Sequence, residues 1–192
     1  IVNDVGYQKI AEQVVKPLTG LRVAPYYGCL IVRPDGGFDN AEQPTILDRL
    51  LRALGAEVID YPLKAQCCGG HMTQISANVA YELIRRLLHN AAEYRADLIA
   101  CLCPMCQLNL DAYQGNVNRH FGTDYKLPIL YFTQLMALAF GVPAKEAGIG
   151  SEIVSASVAL AKIGMEAPKP EGKPKRPDKQ ALPMPTMPDQ EA

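Results

Sequence analysis

Hydrophobic positions in this chain fall into short continuous runs, separated by longer stretches in which they recur every three or four residues. The runs predict buried strands and the recurrences predict amphipathic helices. Residues 21–24 read as a first strand, 58–59 as a second, 97–102 as a third and 128–131 as a fourth. Between the first two, Ile46, Leu47, Leu50, Leu51 and Leu54 make one apolar stripe, with Pro44 in a first helical turn and Gly55 as the stop. Ile75, Val79, Leu83, Leu87 and Leu88 mark a long helix. Pro104 opens another, continued by Leu108, Leu110 and Ala112. A further helix runs through Leu135, Met136, Leu138 and Phe140 to Gly141, and residues 152–163 read as one more. Strands alternating with helices predict an α/β fold: a parallel sheet with flanking helices.

The two ends differ from the middle. Val2, Val5, Ile10, Val14 and Val15 stand at roughly helical spacing, interrupted by Gly6 and ended by Pro17, so residues 1–20 read as a linker or packing helix. The chain opens on Ile1 rather than Met and enters that pattern at once, as the back part of a longer protein would, with a further domain upstream. Residues 21–166 form the domain itself. Beyond it, residues 167–192 contain seven prolines and few large apolar side chains; such a stretch cannot bury enough surface to offset its ordering entropy and is expected to be a disordered tail.

Composition excludes several classes of function. With 48 % hydrophobic residues in 192, the chain can build a real core, and a formal net charge of -1 gives no electrostatic case for nucleic acid or an anionic membrane surface as partner. The longest apolar run, 127–142, contains Gln134 and is too short to span a bilayer. Six cysteines are far fewer than a disulfide-stapled secreted domain carries, and no signal peptide opens the chain, so a reducing cytoplasm is expected.

Those cysteines carry the chemistry. Cys29, the pair Cys67-Cys68 and the pair Cys103-Pro104-Met105-Cys106 follow the pattern Cys-x37-Cys-Cys-x34-Cys-x2-Cys. Each group follows a strand, and in a parallel sheet the carboxyl ends of the strands share one edge, so three remote positions are expected to form one thiol-lined pocket. Gly69 and Gly70 let the backbone approach a ligand closely, and amide donors at the helix starts after Cys68 and Cys103 would favour thiolate over thiol. A 4Fe-4S cluster held by thiolates carries a net charge of about -2 with four ligands and about -3 with five, and suits that environment. A structural zinc site is the alternative, although adjacent cysteines rarely aim both sulfurs at one small tetrahedral ion. Plain disulfides fit least. Cys101, on a buried strand, reads as a small apolar filler. His71 stands where it could give a proton to a leaving thiolate, or simply cap or pack at a helix start. Tyr26 and Tyr27 could donate hydrogen bonds to sulfur or serve as aromatic packing.

Taken together, Tyr26-Tyr27-Gly28-Cys29, Cys67-Cys68-Gly69-Gly70, Cys103-Pro104-Met105-Cys106-Gln107 and Tyr131-Phe132-Thr133-Gln134-Leu135-Met136 resemble the cysteine-rich CCG domain found in the B-type subunit of heterodisulfide reductases. The resemblance covers about residues 1–150. It implies that Cys29, Cys67, Cys68, Cys103 and Cys106 hold a noncubane 4Fe-4S cluster at which a disulfide, the coenzyme M/coenzyme B pair or a related sulfur compound, is cleaved reductively. It also implies partners: an iron-sulfur electron-donor subunit and a second CCG domain, because only one motif is present in this chain. Membrane association would then come through partner subunits. Relatives of the same domain serve in lactate, glycolate, glycerol-3-phosphate and succinate oxidation, where they mainly pass electrons, so an electron-transfer module is the alternative activity.

Overall fold

In the computed structural model, which describes residues 1–33 and 39–165, four parallel strands form one sheet in the order β2-β1-β3-β4. They are β1 (Arg22–Tyr26), β2 (Glu57–Val58), β3 (Leu98–Cys101) and β4 (Ile129–Tyr131). Val23 pairs with both Val58 and Leu98, Tyr26 with Cys101, and Cys101 with Tyr131. Because β1 leads to β2 on one side and β3 leads to β4 on the other, the strand order reverses between β1 and β3. In open parallel sheets the crevice at such a reversal, beyond the carboxyl ends of the strands, is where ligands bind.

The apolar runs are continuous because both faces of the sheet are covered. Along β3, Leu98 and Ala100 join one core while Ile99 and Cys101 join the other, as the two-residue period of a strand requires. The first core receives α2 (Tyr7–Glu12), α3 (Ile46–Ala53), α8 (Phe132–Ala139) and α9 (Ser157–Leu160). The second receives α5 (Ala77–Glu93), α6 (Pro104–Ala112) and α7 (Gln114–Phe121). The expected parallel sheet with flanking helices is therefore the observed architecture.

Several elements differ in detail from the sequence reading. The N-terminal helical stretch is divided at Gly6, φ 84°, into α1 (Val2–Val5) and α2. Helix α3 starts at Ile46 rather than in a turn containing Pro44, because the Asp39 carboxylate accepts the Thr45 and Ile46 amides at its start. The long helix expected from Ile75 is broken at Ser76, φ -148°, into the single turn α4 (Met72–Ile75) and α5. Ile75 and Val79 are consequently exposed, and the buried stripe is Ala80, Ile84, Leu87, Leu88 and Ala91. Helix α7 carries no apolar stripe to announce it; it is buried through Gln114 and Val117. The helix expected over 152–163 shrinks to Ser157–Leu160, since the buried Asp111 carboxylate captures the Ile153 and Val154 amides at 2.8 and 3.0 Å and holds that stretch irregular. The proline-rich stretch 167–192 lies outside the described residues.

Candidate metal centre

All three cysteine groups reach the same edge of the sheet. Cys29 follows β1 through Tyr27 and Gly28, Cys67 and Cys68 end the connection after β2, and Cys103 is the N-cap of α6, which begins after β3. The Tyr27 amide donates to the Lys64 carbonyl at 2.9 Å, which draws the Cys29 arm alongside the Cys67 arm. Gly28 sits at φ 70°, and a Cβ there would stand 3.1 Å from the Cys106 sulfur, so the absence of a side chain lets the Cys29 arm approach Cys106 of α6.

The thiols converge as neighbours. Cys68 Sγ lies 3.4 Å from Cys106 Sγ, and Cys29 and Cys67 interact with each other. The Gly69 amide donates to Cys67 Sγ and the Gly70 amide to Cys68 Sγ, both at 3.4 Å. These two amides, rather than the terminus of the one-turn α4, supply the local positive field after Cys68. The hydrogen bond from Cys106, helped by Gly70, Asn109 and Tyr26 and opposed by burial, pulls the Cys68 thiol down to about 6. Cys106 moves the other way: its bond to Cys68, then burial and the nearby Cys103, hold its proton far above the usual thiol range. As one coupled pair, Cys68 gives up its proton more readily than an ordinary thiol while Cys106 retains its own. Burial, then the adjacent Cys67 thiol, raises Cys29.

Residues that sequence reasoning did not assign hold these arms in place. Asn109 Nδ2 donates to the Cys68 carbonyl at 2.6 Å from a buried position on α6. The Tyr131 hydroxyl donates to the Leu102 carbonyl at 2.7 Å, one residue before Cys103. Gln134 Oε1 accepts from both the Tyr131 amide, 2.8 Å, and Gln107 Nε2, 3.2 Å, tying α8 to α6. Gln107, Tyr131 and Gln134 stand within the motifs that carry the resemblance; the Tyr131–Gln134 bond is the local i,i+3 capping contact of α8, but nothing in the spacing reveals that Gln107 joins it. Tyr26 and Tyr27 part company because adjacent strand residues face opposite ways. Tyr26 lies with Cys68 and Cys106 and donates to the Gln66 carbonyl at 2.7 Å, whereas Tyr27 turns to the other core and donates to Asp48.

His71 occupies the N-cap of α4, exposed and without a capping bond from its side chain, so the expected capping role is not realised. Cys101 is fully buried on β3, with its thiol donating to the Leu130 carbonyl at 3.4 Å, as a packing residue would be. Among the described residues no three histidine, cysteine or acidic side chains surround a single point as a preformed one-ion site would. The donor chemistry instead fits an anionic iron-sulfur group: soft sulfur ligands spread over several thiols, two glycine amides bonded to sulfur, and a glycine where a Cβ would crowd Cys106.

Comparison with known proteins agrees with that chemistry. Residues 23–111 match the CCG model, described as a cysteine-rich domain. The chain is 35 % identical over 167 residues to the B-type subunit of the Ferredoxin:CoB-CoM heterodisulfide reductase of Methanosarcina mazei, covering 85 % of this chain and 55 % of that one. It is 34 % identical over 152 residues to the 8-methylmenaquinol:fumarate reductase membrane anchor subunit of Wolinella succinogenes, covering 78 % of this chain and 54 % of that one. The chain spans about half the length of these relatives. Among solved structures, a hypothetical protein from Helicobacter pylori superposes with a TM-score of 0.60 at 10 % identity, covering 78 % of this chain and 28 % of that one, which is a likeness of fold alone.

Proposed function

We propose, from the match of residues 23–111 to the cysteine-rich CCG domain model, that this chain is an iron-sulfur subunit, or part of one, in a heterodisulfide reductase-like complex. Cys29, Cys67, Cys68, Cys103 and Cys106 are its ligands. The observation that carries this reading is the meeting of all three cysteine arms at one sheet edge, with the Gly69 and Gly70 amides bonded to sulfur. A 4Fe-4S cluster of noncubane type, once bound, would supply electrons to a disulfide substrate and soft sites for the thiolates released. The chain's own residues then do the rest. Gly28 leaves space beside Cys106, the Gly69 and Gly70 amides stabilise thiolate charge, and Asn109 and Tyr131 fix the backbone at Cys68 and before Cys103. His71, exposed beside the site, is the candidate proton donor to a leaving thiolate.

Cleavage of one disulfide takes two electrons, whereas an iron-sulfur centre normally passes one at a time. A second cysteine-rich domain facing the first resolves that mismatch, and the half-length match to the heterodisulfide reductase relatives supports it. So does the surface at the site: Leu30 is 76 % exposed next to Cys29, while Met105 and Leu108, around Cys106, are 52 % and 60 % exposed. Exposed apolar side chains beside the cysteine groups in the chain are what a docking face for such a domain would use. The complex belongs to the cytoplasm on this reading, with any membrane association arising through partner subunits; among the described residues no helix is long and apolar enough to cross a membrane.

The Wolinella succinogenes relative, named as part of a fumarate reductase, supports a second reading in which the chain passes electrons and has no disulfide substrate. One experiment separates the readings. After anaerobic purification, iron, acid-labile sulfide and zinc are measured, and reduced-dye-driven disulfide cleavage is assayed with the chain alone and with a second cysteine-rich domain supplied. Iron and sulfide with cleavage only in the paired state is the expected result. Zinc without sulfide would overturn the cluster; iron and sulfide with no cleavage in either state would leave electron transfer.

A further inference from the structure

A buried charged cluster lies behind the thiol edge, on the opposite face of the sheet. Asp48 of α3 and Lys64 of the connection after β2 are 2 % and 7 % exposed, and Lys64 Nζ donates to Asp48 Oδ1 at 3.0 Å. The Tyr27 hydroxyl donates to Asp48 Oδ2 and accepts from the Asp48 amide at 3.1 Å. Lys64 also reaches the exposed Asp60 at 3.0 Å. Burial alone would push Lys64 down, but its hydrogen bonds to the two carboxylates outweigh that and raise it, which keeps it charged.

Taking two charges out of water is expensive, and well-packed apolar residues in place of a buried pair are often as stable or more so. What the pair adds here is geometry. Asp48 grips Tyr27, two residues before Cys29, and Lys64, three residues before Cys67. On the thiol face, Tyr26 is bonded to the Gln66 carbonyl at 2.7 Å, and between the two faces the Tyr27 amide is bonded to the Lys64 carbonyl at 2.9 Å. The Cys29 and Cys67 arms are therefore tied at the front, at the backbone and at the back. We propose that Asp48 is a positioning residue: through Tyr27 and Lys64 it sets the spacing of the Cys29 thiol against Cys67 before any metal arrives. This rests on the reading of those thiols as one ligand set, and it extends the machinery of the site to a residue on the far side of the sheet.

The test reads thiol spacing without iron. Phenylarsine oxide bridges two thiols that lie close together, and peptide mass mapping of the reduced, iron-free chain shows which pairs it links. In the double variant Asp48→Leu with Lys64→Met, the thermal midpoint is expected to stay within ~4 °C of the parent, since an apolar pair replaces an ionic one. Bridging of Cys29 to Cys67 should nevertheless slow about fivefold, with Cys68-to-Cys106 bridging retained. Unchanged Cys29-to-Cys67 bridging in a folded variant overturns the proposal. If the double variant does not fold, Tyr27→Phe, which removes one hydroxyl, decides alone by the same criterion. Slower bridging in the variant, with a parent chain that never takes up iron, would support the positioning role while the cluster reading fails; normal iron uptake by the parent with unchanged bridging in the variant would do the reverse.

Discussion

The sulfurs of Cys68 and Cys106 lie 3.4 Å apart, although 38 positions separate these residues in the chain. Cys68 arrives at the end of the connection after β2 and Cys106 on the first turn of α6, so their contact joins two of the three cysteine arms. Asn109, one turn along α6 from Cys106, makes the same junction through the Cys68 carbonyl at 2.6 Å.

That contact predicts an unusual titration in the reduced, iron-free chain. Cys68 is pulled from 9.0 down to about 6, so its thiolate forms in the folded state over a range where the unfolded chain keeps its proton. A depressed acid contributes stability that is complete above the unfolded pKa and is lost as pH falls through the folded one. The thermal midpoint, measured against Cys68→Ser, should therefore gain between about pH 6 and pH 9. Ultraviolet thiolate absorption should appear near the lower value. A midpoint difference that is flat over this range, or a thiolate forming only near pH 9, would contradict it.

Gly28 should tolerate no side chain. It stands at φ 70°, and the Cβ of Gly28→Ala would lie 3.1 Å from Cys106 Sγ. The left-handed backbone costs a non-glycine residue roughly 1–2 kcal/mol, and the crowding falls on the Cys106 sulfur. Iron content after anaerobic reconstitution should drop further than the thermal midpoint does. Full iron loading in Gly28→Ala would show that Cys106 yields without loss of the site.

The ligand set is tested by contrasting Cys103→Ser with Cys101→Ser. Cys103 caps α6 at the thiol edge, whereas Cys101 is fully buried on β3 and bonded to the Leu130 carbonyl. The first substitution should strip iron or change the visible spectrum; the second should leave both nearly intact. Equal iron loss in the two variants would move Cys101 into the ligand set.

Asn109→Leu removes the 2.6 Å bond to the Cys68 carbonyl from a buried position. An unsatisfied buried polar group costs about 1–3 kcal/mol, so denaturant unfolding should shift by that amount. Because the freed carbonyl belongs to Cys68, the acidic thiol titration should also shift upward. A stability loss with no change in that titration would limit Asn109 to packing.

Much of this protein is determined by local sequence. The continuous apolar runs required strands covered on both faces, their alternation with helical stripes required a parallel sheet, and the three cysteine groups after three strands were then bound to share an edge. What tertiary structure alone decided is which way each side chain faces and what it meets. Neighbouring tyrosines are identical in sequence terms, yet the pleat sends Tyr26 to the thiols and Tyr27 to Asp48. Asp48 flanks the apolar stripe of α3 and looks like a solvent-facing acid in the sequence; its burial makes sense only when Lys64 is folded against it. Asn109 and Gln107 likewise look like ordinary polar helix residues until their partners, the Cys68 carbonyl and Gln134, arrive from other parts of the chain. Spacing along the chain encodes period and therefore secondary structure and edge, whereas a hydrogen bond between remote residues depends on register and packing, which exist only once the strands have paired.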